Sequence, residues 1–308
     1  MTPIIIIGAP RCGTTACFRW LIEHPEIVPS SRKELNYFTG FSGFHDGYVD
    51  ADLGAYADHF VPQTGAQVTL EASPFYSHPQ LWPYIYHRMA ASLPNARLVL
   101  LMRDPVARFI SHYLVEQREG KEAAEGGVAE YITRGAAYMP SAIGAGPFDE
   151  DIWLEIGDYA RILEAALTAY PASQIQPIFT EWFSDDPVRL ATILSSFMGL
   201  EDPLNPEELR QENAYYATRS LGLHRVASGL RQSAEPLLQR LPALRRSLYG
   251  LYKGINVASA PAAGGDDPLS ASERAQLMGY YSPRNTKLRT LLADNFALSD
   301  VPAWLSTK

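Results

Sequence analysis

Ile4-Ile5-Ile6-Ile7-Gly8-Ala9-Pro10-Arg11-Cys12-Gly13-Thr14-Thr15-Ala16-Cys17-Phe18-Arg19-Trp20-Leu21-Ile22 is the stretch that decides how this chain folds. Four consecutive β-branched residues read as a strand buried on both faces, as strands of a parallel sheet are. Gly8 closes that run. From Thr14 onward Ala16, Cys17, Trp20 and Leu21 recur at helical spacing until His24-Pro25, where proline disfavours helix for the residue before it. Strand, glycine loop and helix therefore follow one another, and the backbone N–H groups at the helix start converge with the helix dipole on a point suited to an oxyanion.

Working outward, residues 68–70 and 98–102 are further apolar runs. The second ends at Arg103-Asp104-Pro105, where Asp104 suits the N-cap of a helix whose first residue is Pro105. Residues 159–170 are amphipathic, 175–179 strand-like and 187–198 helical, with Gly199 placed to end that helix. Such alternation predicts an α/β fold: a P-loop-type parallel sheet flanked by helices on both faces, in one domain over residues 1–308, with ligands gathered outside the carboxyl ends of the strands. Residues 120–146 and 258–268, rich in glycine and alanine, read as mobile loops.

With 308 residues, 46% of them hydrophobic, the chain is long enough to bury one large core. Its formal net charge of -8 offers no broad basic field, which disfavours nucleic acid as a partner. The two cysteines, Cys12 and Cys17, lie on one short segment that a helix makes rigid, so no disulfide framework is expected and a reducing cytoplasm fits. Four isoleucines fall far short of a membrane span, and Met1-Thr2-Pro3 lacks the positive charge of a signal peptide; neither a transmembrane segment nor an export signal is expected.

The spacing from Gly8 to Gly13 is that of a nucleotide-binding P-loop, yet Thr14 stands where such a loop carries its lysine. The Thr14 and Thr15 amides and hydroxyls suit a 5'-phosphate, with Arg11 bringing positive charge from another direction. No aspartate closes an apolar run in the Mg²⁺-holding manner, because residues 98–102 lead into Arg103 before Asp104, and the seven histidines show no metal-ligand spacing; no metal is expected. An NTP-dependent small-molecule kinase shares this strand-loop-helix geometry but needs the missing lysine, while a non-catalytic nucleotide-binding protein needs only the cradle. Cys12 lies at the start of the helix, where the dipole is expected to lower a thiol pKa.

Pro10-Arg11-Cys12-Gly13-Thr14-Thr15 resembles the 5'-phosphosulfate loop of the PAPS-dependent sulfotransferases, heparan-sulfate-type and related bacterial enzymes, with arginine replacing the usual lysine. Arg103-Asp104-Pro105-Val106-Ala107-Arg108-Phe109-Ile110-Ser111-His112-Tyr113 resembles the family's 3'-phosphate motif, in which an arginine at a strand end and a serine eight residues later grip that phosphate. The resemblance implies 3'-phosphoadenosine 5'-phosphosulfate (PAPS) as donor and 3'-phosphoadenosine 5'-phosphate (PAP) as product. It assigns Pro10, Arg11, Cys12, Gly13, Thr14, Thr15, Arg103 and Ser111 to the donor in two separate grips. Lys253-Gly254 is similar to a cofactor-covering loop, which makes Lys253 a further phosphate ligand.

Ser31-Arg32-Lys33-Glu34-Leu35-Asn36-Tyr37-Phe38 resembles the Lys-Glu-x-x-x-Phe segment in which the glutamate is the general base, so Glu34 takes that role here. Arg11 then steadies the leaving oxygen and Lys33 neutralises the transferring group, although on a strand its side chain points away from that of Glu34. Leu70-Glu71-Ala72-Ser73-Pro74-Phe75-Tyr76 resembles the family's Glu-Lys-x-x-x-Tyr-Phe stretch with Ala72 in place of the lysine, which weakens a long anionic sugar chain as acceptor. Glu71, Ser73 and Tyr76, with Tyr37 and Phe38, are expected to line the acceptor cleft, though aromatics serve equally as packing residues. Residues 277–288 look like the family's terminal helix. The implied activity is sulfuryl transfer to a hydroxyl or amine of a small-molecule, carbohydrate or lipid acceptor.

Overall fold

A computed structural model describes residues 1–39, 53–82, 84–119, 127–137, 152–209, 216–218, 257–259 and 268–306. Five strands, β1 (Thr2–Gly8), β2 (Ile27–Pro29), β3 (Val68–Ala72), β4 (Arg97–Met102) and β5 (Ile175–Phe179), form a parallel sheet in the order β2-β3-β1-β4-β5. β1 lies at the centre because its four isoleucines suit burial on both faces: Ile4, Ile5, Ile6 and Ile7 are each at most 1% exposed. The helices α1 (Thr14–Leu21), α2 (Leu53–Ala57), α3 (Ile85–Ser92), α4 (Pro105–Glu119), α5 (Val128–Ala136), α6 (Tyr159–Leu167), α7 (Trp182–Asp185), α8 (Pro187–Met198), α9 (Ala271–Phe296) and α10 (Ala303–Ser306) complete the fold. A short antiparallel ribbon pairs β6 (Tyr216–Thr218) with β7 (Val257–Ser259). The α/β architecture is the one the alternation of strand and helix predicts, and no described helix is long and apolar enough to cross a membrane.

Local chemistry sets the helix ends. Asp104 accepts the Val106 amide at 2.8 Å and the Ala107 amide at 3.2 Å, capping α4 as its position before Pro105 predicts. Gly199 ends α8 at φ 75°, a conformation glycine reaches without a Cβ penalty. Ser270 and Glu273 make a reciprocal capping box at the start of α9.

The loop expected over residues 120–146 contains α5, and the one over 258–268 begins inside β7. In α5 the buried face is Tyr131, Ile132 and Gly135: Tyr131 stacks on Trp153 with ring centroids 3.8 Å apart, and a Cβ at Gly135 would lie 2.4 Å from the Trp153 indole nitrogen. Gly135 there marks a close approach, which composition alone does not distinguish from a loop.

After β1 the chain turns towards β2 and β3; after β4 it turns the other way, towards β5. The carboxyl ends of β1 and β4 thus flank the reversal point at which open α/β sheets take their ligands. Gly8 sits at this point with φ 148°, and a Cβ there would come within 2.5 Å of Ser77 Oγ and 2.8 Å of Ser77 Cβ. Gly8→Ala is expected to cost about 2–4 kcal/mol from crowding and backbone strain together, read as a lower midpoint in chemical denaturation.

Candidate functional site

The segments that leave the sheet are bonded sideways to their neighbours along its carboxyl edge. Glu34 gives its amide to Ala72 O (2.9 Å), Ser73 to Ile6 O (3.0 Å), Ala9 to Leu101 O (2.9 Å) and Thr180 to Met102 O (2.8 Å). This row brings the loop after β1, the corner after β4 and the segment containing Glu34 to one edge of the molecule.

In the loop, Arg11 and Gly13 have φ of 70° and 82°, and Gly13 is the N-cap of α1 with no side chain capping the helix. The first amides of α1 thereby face outward from the loop, as an anion requires. Thr14 is buried and Thr15 exposed. Arg11 donates from Nε to Ser111 Oγ at 3.1 Å, and Arg103 Nη1 lies 3.5 Å from Arg11 O. The two expected grips are therefore one connected cluster, because β1 and β4 are adjacent strands whose exits share the reversal point.

Around that cluster stand residues whose importance the sequence reading missed. Tyr159, fully enclosed, donates to Arg103 O at 2.9 Å and lies 3.3 Å from Cys12 Sγ, so it ties the loop to the corner. Thr180 Oγ1 is 2.8 Å from Cys12 O and 3.0 Å from Met102 O. Glu181 accepts the Asp104 amide (3.0 Å) and the Trp304 indole N–H (2.9 Å), and burial pushes its carboxyl above the usual carboxylate range against those donors. Thr180 and Glu181 directly follow β5, so the rule that sites collect beyond strand ends points to them; no local pattern points to Tyr159.

Lys33 and Glu34 do not lie on a strand. Glu34 and Asn36 have φ of 64° and 53°, and the Lys33 ammonium reaches the Glu34 carboxylate in an ion pair. The expectation that Lys33 points away from Glu34 fails for this reason: alternation holds only for extended backbone. The Glu34 side chain is 54% exposed, leaving its carboxylate open to an incoming group.

Phe38, Glu71, Ser73 and Tyr76 are each 0% exposed. The expectation that these four line an open acceptor cleft gives way to an interior role, since they form the support under the Glu34 segment. Tyr37 is half-buried and packs its ring 5.1 Å from Tyr56 and 5.6 Å from Phe38. Lys253 lies outside the described residues.

No family model matches the chain. Among curated proteins, a membrane-associated sulfotransferase from Dictyostelium discoideum is 37% identical over 113 residues, covering 35% of this chain and 22% of that protein. The bifunctional heparan sulfate N-deacetylase/N-sulfotransferase 2 of Bos taurus is 26% identical over 208 residues, covering 65% of this chain and 22% of that protein. The heparan sulfate glucosamine 3-O-sulfotransferase 3B1 of Mus musculus is 27% identical over 197 residues, covering 64% of this chain and 46% of that protein. The match thus spans less than half the length of each of these relatives. Among solved structures, a sulfotransferase from Alicyclobacillus acidocaldarius has a TM-score of 0.63 at 20% identity, covering 99% of this chain and 98% of that one, so the fold is shared.

Burial also reverses the expectation for Cys12. Removal from water pushes its thiol up to about 11, against the lowering hydrogen bond from Tyr159, and pushes Cys17 up to about 12. A raised pKa keeps both as neutral thiols throughout the neutral range and to well above pH 9. Neither is expected to react with iodoacetamide at pH 8 in the folded protein, and both should label once denaturant unfolds it, as counted by intact mass.

Proposed function

Proceeding from a chain that is a relative of the sulfotransferases and shares their fold, we propose that it transfers a sulfuryl group from PAPS to a hydroxyl or amine of an acceptor, releasing PAP. The observation that carries this reading is the meeting of Arg11, before α1, with Ser111 of α4 and with Arg103 just past the end of β4, beside the first turn of α1, which no side chain caps. The residues fit a donor with two phosphate ends. Amides of Gly13, Thr14 and Thr15, with the threonine hydroxyls, suit its 5' end; Arg103 offers a planar fork and Ser111 a hydroxyl to its 3'-phosphate. Pro10 and Cys12 shape the loop between them, and the domain that carries these parts is taken as residues 1–308.

Glu34 is the proposed base. Its exposed carboxylate takes the proton of the acceptor hydroxyl or amine as that atom bonds to sulfur and the bond from sulfur to the donor's phosphate oxygen breaks. Arg11, with its fixed positive charge, steadies the phosphate oxygen that departs. Lys33, paired with Glu34, sets positive charge beside the group in transfer. Positioning and charge stabilisation supply the catalysis, as in phosphoryl transfer, with no metal called for by these side chains.

Relatives named for heparan sulfate make a carbohydrate the first acceptor class to examine, ahead of small-molecule and lipid hydroxyls. Ala72, at a position where the resembled motif carries lysine, and the net charge of -8 argue for an acceptor less anionic than a long sulfated chain.

Incubation with sulfur-labelled PAPS and a panel of sugars, phenols and lipid alcohols is expected to label an acceptor equally with and without a chelator; uptake of ATP with magnesium in place of PAP would overturn the reading. Glu34→Gln should lower turnover by roughly 10²–10⁴-fold while calorimetry shows PAP binding within twofold of the native protein. Arg103→Met should weaken PAP binding by roughly 10–150-fold, the worth of about 1.5–3 kcal/mol for a charged hydrogen-bonding group.

A further inference from the structure

We propose that Glu71 is a positioning residue that holds Glu34 in place through two hydroxyl relays, an inference that rests on the reading of Glu34 as the base. Glu71 lies on β3 with no exposed surface. Its Oε1 accepts the hydroxyls of Ser73 at 2.7 Å and Tyr76 at 2.6 Å, and its Oε2 accepts the hydroxyl of Tyr56 at 2.8 Å.

A hydroxyl has one proton to give. Once Ser73 and Tyr76 have given theirs to Glu71, their oxygens present lone pairs in the other direction. Ser73 Oγ accepts the Asn36 amide at 3.0 Å and Tyr76 Oη accepts the Phe38 amide at 3.2 Å. With the Glu34 amide on Ala72 O at 2.9 Å, alternate amides of the 34–38 segment are held by residues 72, 73 and 76. Left-handed backbone at Glu34 and Asn36 is uncommon for residues with a Cβ and persists where the surroundings determine it.

The ladder depends on which way the hydroxyl protons point, and an acceptor-only carboxylate settles that direction. Burial, and after it the Glu71 charge, pushes the Tyr56 and Tyr76 phenols well above their ordinary value, so they keep the protons the relay needs. An apolar residue at 71 would free both hydroxyls to turn. Glutamine would keep one acceptor oxygen for Ser73 and Tyr76 if its amide nitrogen turned to the Tyr56 oxygen, and so is the conservative substitution.

Glu71→Leu, Glu71→Gln and the double variant Glu34→Gln/Glu71→Leu, all full-length, test this. Glu71→Leu should lower kcat by on the order of 10²-fold, the cost of a misplaced group, with PAP affinity within twofold, and Glu71→Gln should lose less. In the Glu34→Gln background the Glu71→Leu change should cost less than about twofold in residual transfer, since it acts through a carboxylate already gone. Hydrogen exchange should show protection lost in the peptide covering 34–39 and kept in β1 and β4.

A full loss from Glu71→Leu in the Glu34→Gln background, or unchanged exchange over 34–39, would overturn the proposal. Native turnover in Glu34→Gln would instead remove the base assignment, and hydrogen exchange then judges Glu71 on its own. Should Glu71→Leu fail to fold, Ser73→Ala and Tyr76→Phe each delete one amide acceptor and are expected to show the same local loss of protection; protection equal to the native protein in both sinks the relay.

Discussion

The Ala9 amide bonds to the Leu101 carbonyl across the carboxyl edge of the sheet at 2.9 Å. That contact, and the parallel ones from Glu34, Ser73 and Thr180, carry the strand ladder past the strands into the loops. A loop that leaves a sheet freely has many conformations to lose on binding. Here each exit is held by its neighbour, so Arg11, Arg103, Ser111 and Glu34 are placed by the same hydrogen-bonding row that organises the core. Gly8 belongs to this constraint, because only a residue without Cβ leaves room for Ser77 where the chain turns out of β1.

Much of the site's precision comes from groups that face inward. Tyr159 joins the backbone of Arg103 to the thiol of Cys12, and Glu181 joins the start of α4 to Trp304 near the end of the described chain. Glu71 gathers hydroxyls from Tyr56, Ser73 and Tyr76 beneath the Glu34 segment. Buried polar groups of this kind are costly unless partnered, and once partnered they define one geometry. The outer arginines and the exposed glutamate inherit their orientation from this inner layer.

Periodicity made the sheet readable. Ile4–Ile7 and 98–102 are apolar runs with a physical reason to be central strands, 175–179 reads as a strand and takes the sheet edge, and Asp104-Pro105 and Gly199 mark helix ends by their own chemistry. The helix α5 escaped because Gly135, read as loop composition, serves close contact with Trp153, on which Tyr131 of the same helix stacks. Cys12 was misjudged because a helix start lowers a thiol pKa only where the charge remains solvated; enclosed beside Tyr159, it is governed by desolvation.

The residue order by itself determined the strand-loop-helix unit, the corner at Arg103-Asp104-Pro105 and the types of side chain offered to an anion, since each follows from local periodicity and capping within a few residues. Which of those side chains meet was decided only by tertiary structure. Arg11 and Ser111 are brought together by the adjacency of β1 and β4, and Phe38, Glu71, Ser73 and Tyr76 are turned inward by the packing of residues 34–39 over the end of β3. Strand order and burial depend on contacts between distant parts of the chain, which no short stretch of sequence contains.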